Sequence, residues 1–191
     1  MYLEYFDRFK GMEPYLNINQ HEWNYIKETF DKDDVKESLA KVANDSNWYI
    51  KRVNTGNESS NYFQQENRWS VDGSVAPGPK RTWESEKFMT SLMGAAYSLK
   101  LPYIDKKYLR TMISLRKYIC SQFKPNVAKI LYDKLGSKNI LDFSAGWGDR
   151  LAGFYGSETG EFYMGIDPRK ENHPIYKEQS SFYEKHRSMF E

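Results

Sequence analysis

Residues 138–151 read Lys138-Asn139-Ile140-Leu141-Asp142-Phe143-Ser144-Ala145-Gly146-Trp147-Gly148-Asp149-Arg150-Leu151, and residues 162–168 read Phe162-Tyr163-Met164-Gly165-Ile166-Asp167-Pro168. Each stretch opens with a short apolar run that leads to an acid. A glycine-bearing turn and an apolar segment of helical length separate the two runs. This pattern predicts a β-strand, an α-helix and a second, parallel β-strand. The sequence therefore predicts an α/β fold for this part of the chain.

The two acids mark a candidate ligand-binding edge. In an open parallel sheet, ligands bind outside the carboxyl ends of the strands. We therefore expect the turn after Asp142 and the carboxylate of Asp167 to face one crevice. Gly146 and Gly148 would let the backbone approach a ligand closely, and Asp167 could accept hydrogen bonds from both hydroxyls of a ribose.

The spacing of the glycines separates two classes of cofactor. A dinucleotide fingerprint needs Gly-x-Gly-x-x-Gly, whereas this turn reads Ala145-Gly146-Trp147-Gly148-Asp149-Arg150-Leu151. The acid at Asp142 disfavours a pyrophosphate and favours the ammonium group of a methionine moiety. These residues resemble motifs I and II of S-adenosylmethionine-dependent methyltransferases. The string from Asp142 to Leu151 is especially similar to the amino-methylating DNA methyltransferases of phages and large DNA viruses. The alternative is a glycine turn in some other α/β protein.

The resemblance implies S-adenosylmethionine as cofactor and a set of residues that contact it. In the central motifs these are Asp142, Ser144, Ala145, Gly146, Gly148, Asp149 and Asp167. In the same family a Phe-x-Pro segment opens the helix before motif I and closes over the methionine end of the cofactor, and here Phe123-Lys124-Pro125 occupies that place. Free backbone N–H groups at the helix start and the charge of Lys124 would suit the cofactor's carboxylate. The alternative is that Phe123 packs on its own helix.

One family motif is missing. Amino-methylating DNA enzymes carry a polar residue followed by Pro-Pro and an aromatic, which orients the exocyclic amine and stacks on the flipped base. This chain has no Pro-Pro pair, and the nearest strings are Leu101-Pro102-Tyr103 and His173-Pro174-Ile175-Tyr176. About 50 residues follow Asp142, too few for a full methyltransferase sheet. The catalytic residues are therefore unknown, and we expect the chain to be inactive alone.

Three explanations account for the missing half. The chain could be the amino-terminal part of a longer enzyme, or its carboxy-terminal half could be a separate partner chain. It could also be a degenerate relative, a catalytically inactive binding or assembly module of a virus or phage.

The rest of the chain is predicted to be mainly helical. Residues 1–104 form the amino-terminal region, and residues 105–191 a helical bridge and a partial Rossmann-like domain. A helix start is expected at Asp34, and loops at residues 54–60 and 72–81. Apolar stripes predict core helices from about residue 83 to 100, from residue 105 and from Pro125 to Gly136.

Composition limits the remaining function classes. The 191 residues carry a net charge of only +2, so any nucleic-acid contact must be local. The resemblance implies that the intact enzyme methylates an exocyclic amine of adenine or cytosine in DNA. Basic and aromatic residues alternate near the second loop, and we expect them to contact the DNA strand. They are Arg68, Trp69, Lys80, Arg81 and Trp83.

Metal and membrane sites are not expected. The three histidines are scattered and there is one cysteine, so no metal-ligand spacing is present. No apolar run reaches the roughly 20 residues that span a bilayer. We expect a cytoplasmic protein, in the host cytoplasm if it is viral or from a phage.

Overall fold

The computed structural model describes residues 27–45, 56–98, 106–116 and 119–186. Within these residues the elements follow one another as α1 (Lys32–Ala43), α2 (Asn57–Trp69), α3 (Pro79–Glu84), α4 (Glu86–Ser98), α5 (Lys106–Arg116), α6 (Pro125–Lys134), β1 (Asn139–Asp142), α7 (Asp149–Tyr155), β2 (Phe162–Gly165) and α8 (Asn172–His186). No helix among them is long and apolar enough to cross a membrane.

The described residues fall into two compact units. Residues 68–120 belong to one, which we call the helical unit. Residues 29–67 and 121–186 belong to the other, the sheet unit. Neither unit ends at residue 104, the boundary predicted from the sequence. The α-helices of the amino-terminal region are thus shared between the two units.

The helical unit contains α3, α4 and α5. The predicted apolar stripes form α4 and α5, and Leu92, Met93 and Met112 are buried. Leu92 and Met112 lie on the predicted stripes and are core, as the spacing predicts, and Met93 beside Leu92 is buried as well. The second predicted loop, residues 72–81, is irregular only up to Gly78, because α3 begins at Pro79. The N–H of Gly78 donates to Asp72 Oδ1 at 2.7 Å.

The sheet unit contains the predicted strand, helix and strand. β1 and β2 pair in parallel, with Asn139 opposite Phe162 and Asp142 opposite Gly165, and α7 is the crossover helix between them. The chain is therefore a mixed α/β protein in which the described residues hold a two-stranded parallel sheet.

Helices cover one face of this sheet. Ile140 of β1 is buried with Leu151 and Phe154 of α7, and the same cluster includes Leu39 of α1 and Tyr183 of α8. The predicted helix from Pro125 is α6, and it is followed by Gly136 in the left-handed conformation (φ +59°). Helices α1, α6 and α7 pack against one another beside the strands.

The opposite face of the sheet is exposed and apolar. Leu141 is 62% exposed and Phe143 is 79% exposed. Phe162, Met164 and Ile166 follow along β2 and are each about half exposed. No described element covers these side chains, although parallel sheets are normally covered on both faces.

Two further sequence-based boundaries are wrong. α1 has its N-cap at Asp31, whose side chain accepts from the N–H groups of Asp33 and Asp34, so Asp34 is the third helical residue and not the start. Residues 54–60 were expected to form a loop, but α2 begins at Asn57. The polar side chains that suggested a loop are buried in α2, where Ser60 Oγ donates to Asp149 Oδ1.

Candidate functional site

The ends of β1 and β2 meet at one edge, as the two acids in the sequence predict. Asp142 ends β1, and Asp167 follows β2 by two residues. The N–H of Ile166 donates to the carbonyl of Asp142 at 2.7 Å, and the N–H of Ala145 donates to the carbonyl of Ile166 at 3.0 Å. The glycine loop, residues 143–148, is therefore tied by its backbone to the end of β2.

Asp142 is a buried and compensated carboxylate. Its Oδ2 accepts from Arg150 Nε at 2.7 Å and from the Tyr163 hydroxyl at 2.6 Å, and its Oδ1 accepts from the N–H of Ser144 at 3.2 Å. A carboxylate has about four acceptor positions, so one remains, on Oδ1. Arg150 balances the charge of Asp142. Because Asp142 bonds to Ser144 in the loop and to Arg150 in α7, it holds both in place. It could accept one N–H from a ligand.

The partners of Asp142 are locked in their protonated forms. Burial alone would lower the pKa of the Arg150 guanidinium, but the hydrogen bond and charge of Asp142 outweigh it and raise this pKa. Burial and the same carboxylate raise the pKa of the Tyr163 hydroxyl. Both groups therefore remain hydrogen-bond donors to Asp142 throughout the physiological pH range.

The loop presents Gly146 between Asp167 and α8. Gly146 has φ +61°, and its N–H donates to Asp167 Oδ2 at 2.8 Å. The Gly146 carbonyl accepts from Asn172 Nδ2 at 2.8 Å and from the Tyr176 hydroxyl. Burial raises the pKa of Tyr176 to about 12, so this hydroxyl remains protonated at neutral pH.

Asp167 keeps part of its acceptor capacity. Besides the Gly146 bond, its Oδ1 accepts from the N–H of Arg169 at 2.9 Å. Within the described residues these two bonds fill half of the roughly four acceptor positions. Two positions remain, which is the number that the two hydroxyls of a ribose require.

Gly148 packs directly on a buried amide of α8. It has φ +75° and is the N-cap of α7. Gln179 is fully buried, and its Nε2 donates to the Gly148 carbonyl at 3.2 Å and to the Tyr183 hydroxyl at 2.8 Å. The Tyr183 hydroxyl in turn donates to the carbonyl of Ser59 in α2 at 2.8 Å. The loop is thus buttressed by α8 and, through α8, by α2.

Asp149 serves a different role from the one that the resemblance implies. Its side chain is almost fully buried, and it accepts from Ser60 Oγ of α2 and from Gln122 Nε2 at 3.3 Å. Asp149 therefore anchors the start of α7 to α2 and to the segment before α6. In this structure it does not face the surface of the loop.

The Phe-x-Pro segment lies beside the loop. α6 begins at Pro125, with Lys124 as N-cap and no side-chain capping bond. Phe123 is 37% exposed, and the Arg150 guanidinium carbon lies 5.1 Å from the centre of its ring. Arg150 thus connects Phe123 to Asp142, and the structure brings the two sequence-predicted segments together.

A cavity of about 390 Å³ lies between α7, β2 and α8. It reaches the loop at Ala145 and Gly148 but does not include Ser144, Gly146 or Asp167. Leu151, Phe154, Tyr155, Glu161, Phe162, Tyr163, Gly165, Tyr176, Lys177, Ser180 and Glu184 also line it. This cavity is consequently not the crevice at the carboxyl edge that the sequence predicts.

Three of the five residues predicted to contact DNA are buried in the helical unit. Trp69 and Trp83 are buried, and Arg68 donates through Nη1 to the carbonyl of Cys120 at 3.3 Å. Because these side chains face the interior, they do not present a surface to a nucleic-acid strand in this structure.

The other two residues are more accessible. Lys80 is half-buried, and Arg81 is exposed. Arg81 Nη1 lies 3.2 Å from Asp72 Oδ2, in an ion pair that solvent screens. A DNA contact in this region would therefore involve Lys80 and Arg81.

Sequence reasoning missed the supporting residues of the loop. Asn172, Tyr176, Gln179 and Tyr183 recur at helical spacing on one face of α8, and all four are hydrogen-bonded to the loop or to one another. The sequence signal that could have identified them is this stripe of polar and tyrosine side chains at helical spacing.

Within the described parts of the chain, no group of three or more His, Cys, Asp or Glu side chains could hold a metal ion.

Comparison with known proteins identified no relative of this chain. No family model matches the chain, and neither the curated proteins nor the solved structures contain a match.

The contact between Gly148 and Gln179 yields a stability prediction. A Cβ on Gly148 would lie 2.2 Å from Gln179 Oε1, whereas a Cβ on Gly136 would have no atom within 4 Å. Both glycines have positive φ, so Gly148→Ala and Gly136→Ala share a backbone cost of about 1–2 kcal/mol. The added Cβ must displace the buried Gln179 amide from its hydrogen bonds to Gly148 and Tyr183, which should cost Gly148→Ala a further ~1–3 kcal/mol in urea unfolding. Equal losses in the two variants would contradict the packing of α8 on the loop.

Proposed function

We propose that this chain is the S-adenosylmethionine-binding portion of a methyltransferase. The observation that carries the proposal is the position of Asp167, which lies beside Gly146 at the carboxyl edge of two parallel strands and has acceptor positions to spare. A ribose diol bound there would place the rest of an adenosyl ligand along the glycine loop.

The charges around the loop favour an adenosyl amino acid over a dinucleotide. A pyrophosphate would bring two negative charges beside Asp142, and Arg150, which already pairs with Asp142, could balance at most one of them. The methionine moiety carries one ammonium and one carboxylate, which suit the remaining acceptor position on Asp142 and a nearby cation. The loop also lacks the third glycine of the dinucleotide fingerprint, since Leu151 stands there.

The exposed face of the sheet supports a complementing polypeptide. This face carries five exposed apolar side chains, of which Phe143 and Leu141 are the most exposed. In a parallel sheet such a face is normally buried under other elements. We propose that a carboxy-terminal half or a partner chain adds strands beside β1 and covers this face. That polypeptide would also supply the Pro-Pro-aromatic motif, because the chain itself lacks it.

The proposed substrate is an exocyclic amine of adenine or cytosine in DNA, methylated in the cytoplasm of the cell or of the host. The resemblance of the string from Asp142 to Leu151 supports this, and Lys80 and Arg81 are the side chains we assign to the DNA strand. The second candidate is a catalytically inactive binding or assembly module. The same exposed apolar face supports it, since an assembly partner would also bury that face.

Loss of Asp167 should remove cofactor affinity. Titration calorimetry should detect S-adenosylhomocysteine binding to the chain, weakly because later strands are absent. Asp167→Ala removes two hydrogen bonds between a charged acceptor and the ribose, each worth about 1.5–3 kcal/mol, so affinity should fall at least ~100-fold.

The control for this experiment is Glu158→Ala. Glu158 lies in the loop before β2, at the opposite end of the strands, and loses the same charge. It should bind as the wild type does. No heat from the wild type, or equal affinities of the two variants, would contradict the cofactor proposal.

Replacement of Lys80 and Arg81 by Ala should weaken DNA binding. Each lost phosphate contact should lower the slope of log K against log salt by about 0.9, so fluorescence anisotropy across a salt series should show a slope smaller by roughly two units. Lys36→Ala/Lys41→Ala removes the same charge from α1 and should leave the slope unchanged. An unchanged slope in the first variant would refute the DNA contact.

Methyl transfer separates the substrates and the two candidate functions. The chain alone should transfer no labelled methyl group, and the chain with its complementing half should transfer it to DNA. Transfer to RNA or protein instead would overturn the DNA proposal and leave the cofactor proposal standing. Cofactor binding without transfer to any of the three would favour the inactive module.

A further inference from the structure

Arg150 lies where the loop, β1 and the Phe-x-Pro segment meet. Its Nε donates to Asp142 Oδ2, and its guanidinium stacks over the Phe123 ring. The side chain is 25% exposed, so one part of it remains accessible to solvent. Asp142 is itself held by Tyr163 and by the backbone of Ser144. The guanidinium therefore has a defined position and orientation.

The outer nitrogens of this guanidinium are available. A guanidinium has five N–H donors, of which Nε uses one for Asp142. No described residue accepts a hydrogen bond from Nη1 or Nη2 of Arg150. A Cβ added to Gly146 would lie 3.9 Å from Nη2, so these donors border the same glycine that contacts Asp167.

Gly146 thus borders both a guanidinium with available donors and a carboxylate with spare acceptor positions. Arg150 Nη2 lies near the place that a Cβ of Gly146 would take, and the N–H of Gly146 contacts Asp167. A ligand that spans the glycine with vicinal hydroxyls at one end and an anion at the other would satisfy both. Planar, bidentate recognition of a carboxylate or a phosphate is the interaction that arginine forms best.

We propose that Arg150 binds the carboxylate of the methionine moiety of S-adenosylmethionine. The inference rests on the proposed function and assigns to Arg150 the role that sequence reasoning gave to Lys124. Arg150 suits the role better because Asp142 and Phe123 hold its guanidinium in place, whereas Lys124 is a helix N-cap with no capping bond from its side chain. Phe123 would then support the guanidinium and need not cover the cofactor.

The test compares two ligands that differ in the amino-acid part. S-adenosylhomocysteine carries the carboxylate, and 5′-methylthioadenosine keeps the adenosine and the sulfur but lacks it. In calorimetry with the whole chain, Arg150→Gln should weaken S-adenosylhomocysteine about 30-fold, the loss expected for a charge-assisted contact, and change methylthioadenosine less than threefold. Lys138→Gln, which removes an exposed cation just before β1, at the far end of the strands, is the matched control and should change neither ligand more than threefold.

A structural role for Arg150 would give a different pattern. Arg150→Gln leaves Asp142 buried without its cation. If this variant is unstable, the ratio of the two affinities is compared between Asp142→Asn and Asp142→Asn/Arg150→Gln, because both of these variants lack any ammonium contact at Asp142 and differ only at Arg150. If Arg150 only supports the loop, both ligands should weaken by the same factor, and the ratio of their affinities should stay at the wild-type value. That result would overturn the assignment.

The remaining outcomes separate the two proposals and the two possible anions. If the wild-type chain binds neither ligand, the proposed function fails and this inference fails with it. If it binds S-adenosylhomocysteine and the ratio is unchanged in Arg150→Gln, only the inference fails. Tighter binding of adenosine diphosphate than of S-adenosylhomocysteine, lost in Arg150→Gln, would identify the anion as a phosphate and overturn the carboxylate assignment.

Discussion

The buried carboxylate of Asp142 is the constraint on which the candidate site depends. A charge removed from water must be compensated, and here one carboxylate is compensated by a guanidinium, a phenol and a backbone N–H. These partners come from α7, β2 and the glycine loop. One residue at the end of β1 therefore fixes the start of the crossover helix, the position of the second strand and the path of the loop, and the other features of the carboxyl edge follow from it.

A second layer of polar contacts surrounds this centre and comes from distant parts of the sequence. α8 contacts the loop through Tyr176 and Gln179, and α2 is joined to it through Tyr183 and Asp149. Gln179, Tyr183 and Asp149 are buried and Tyr176 is half-buried, and their hydrogen-bond partners lie in the loop, in α2, in the segment before α6 and among one another. Residues of the amino-terminal region are for this reason part of the unit that holds the loop, although in the sequence they lie far from it.

The sequence predicts those parts of the structure that depend on local pattern. The two strands, α7 and the edge at Asp142 and Asp167 follow from short apolar runs, a glycine turn and parallel-sheet geometry, and α4, α5 and α6 follow from apolar periodicity. α2 was missed because its polar residues resemble a loop, and they are helical because tertiary contacts satisfy them. A single sequence does not show which elements pack together. The pairing of Asp142 with Arg150 depends on that packing, and so does the burial of Asp149, Arg68 and Trp83. That is why the residues around the acids were identified while their partners were not.

The central claim is that an adenosyl ligand binds at the carboxyl edge, beside the loop and Asp167. It is tested most directly by the backbone amide chemical shifts of the isotope-labelled chain during titration with S-adenosylhomocysteine. We predict that the largest shifts occur at residues 144–148 and at Ile166 and Asp167, and that the Nε–H signal of Arg150 also moves. Shifts confined to the residues that line the 390 Å³ cavity away from the loop, such as Tyr155, Lys177 and Glu184, would contradict the claim.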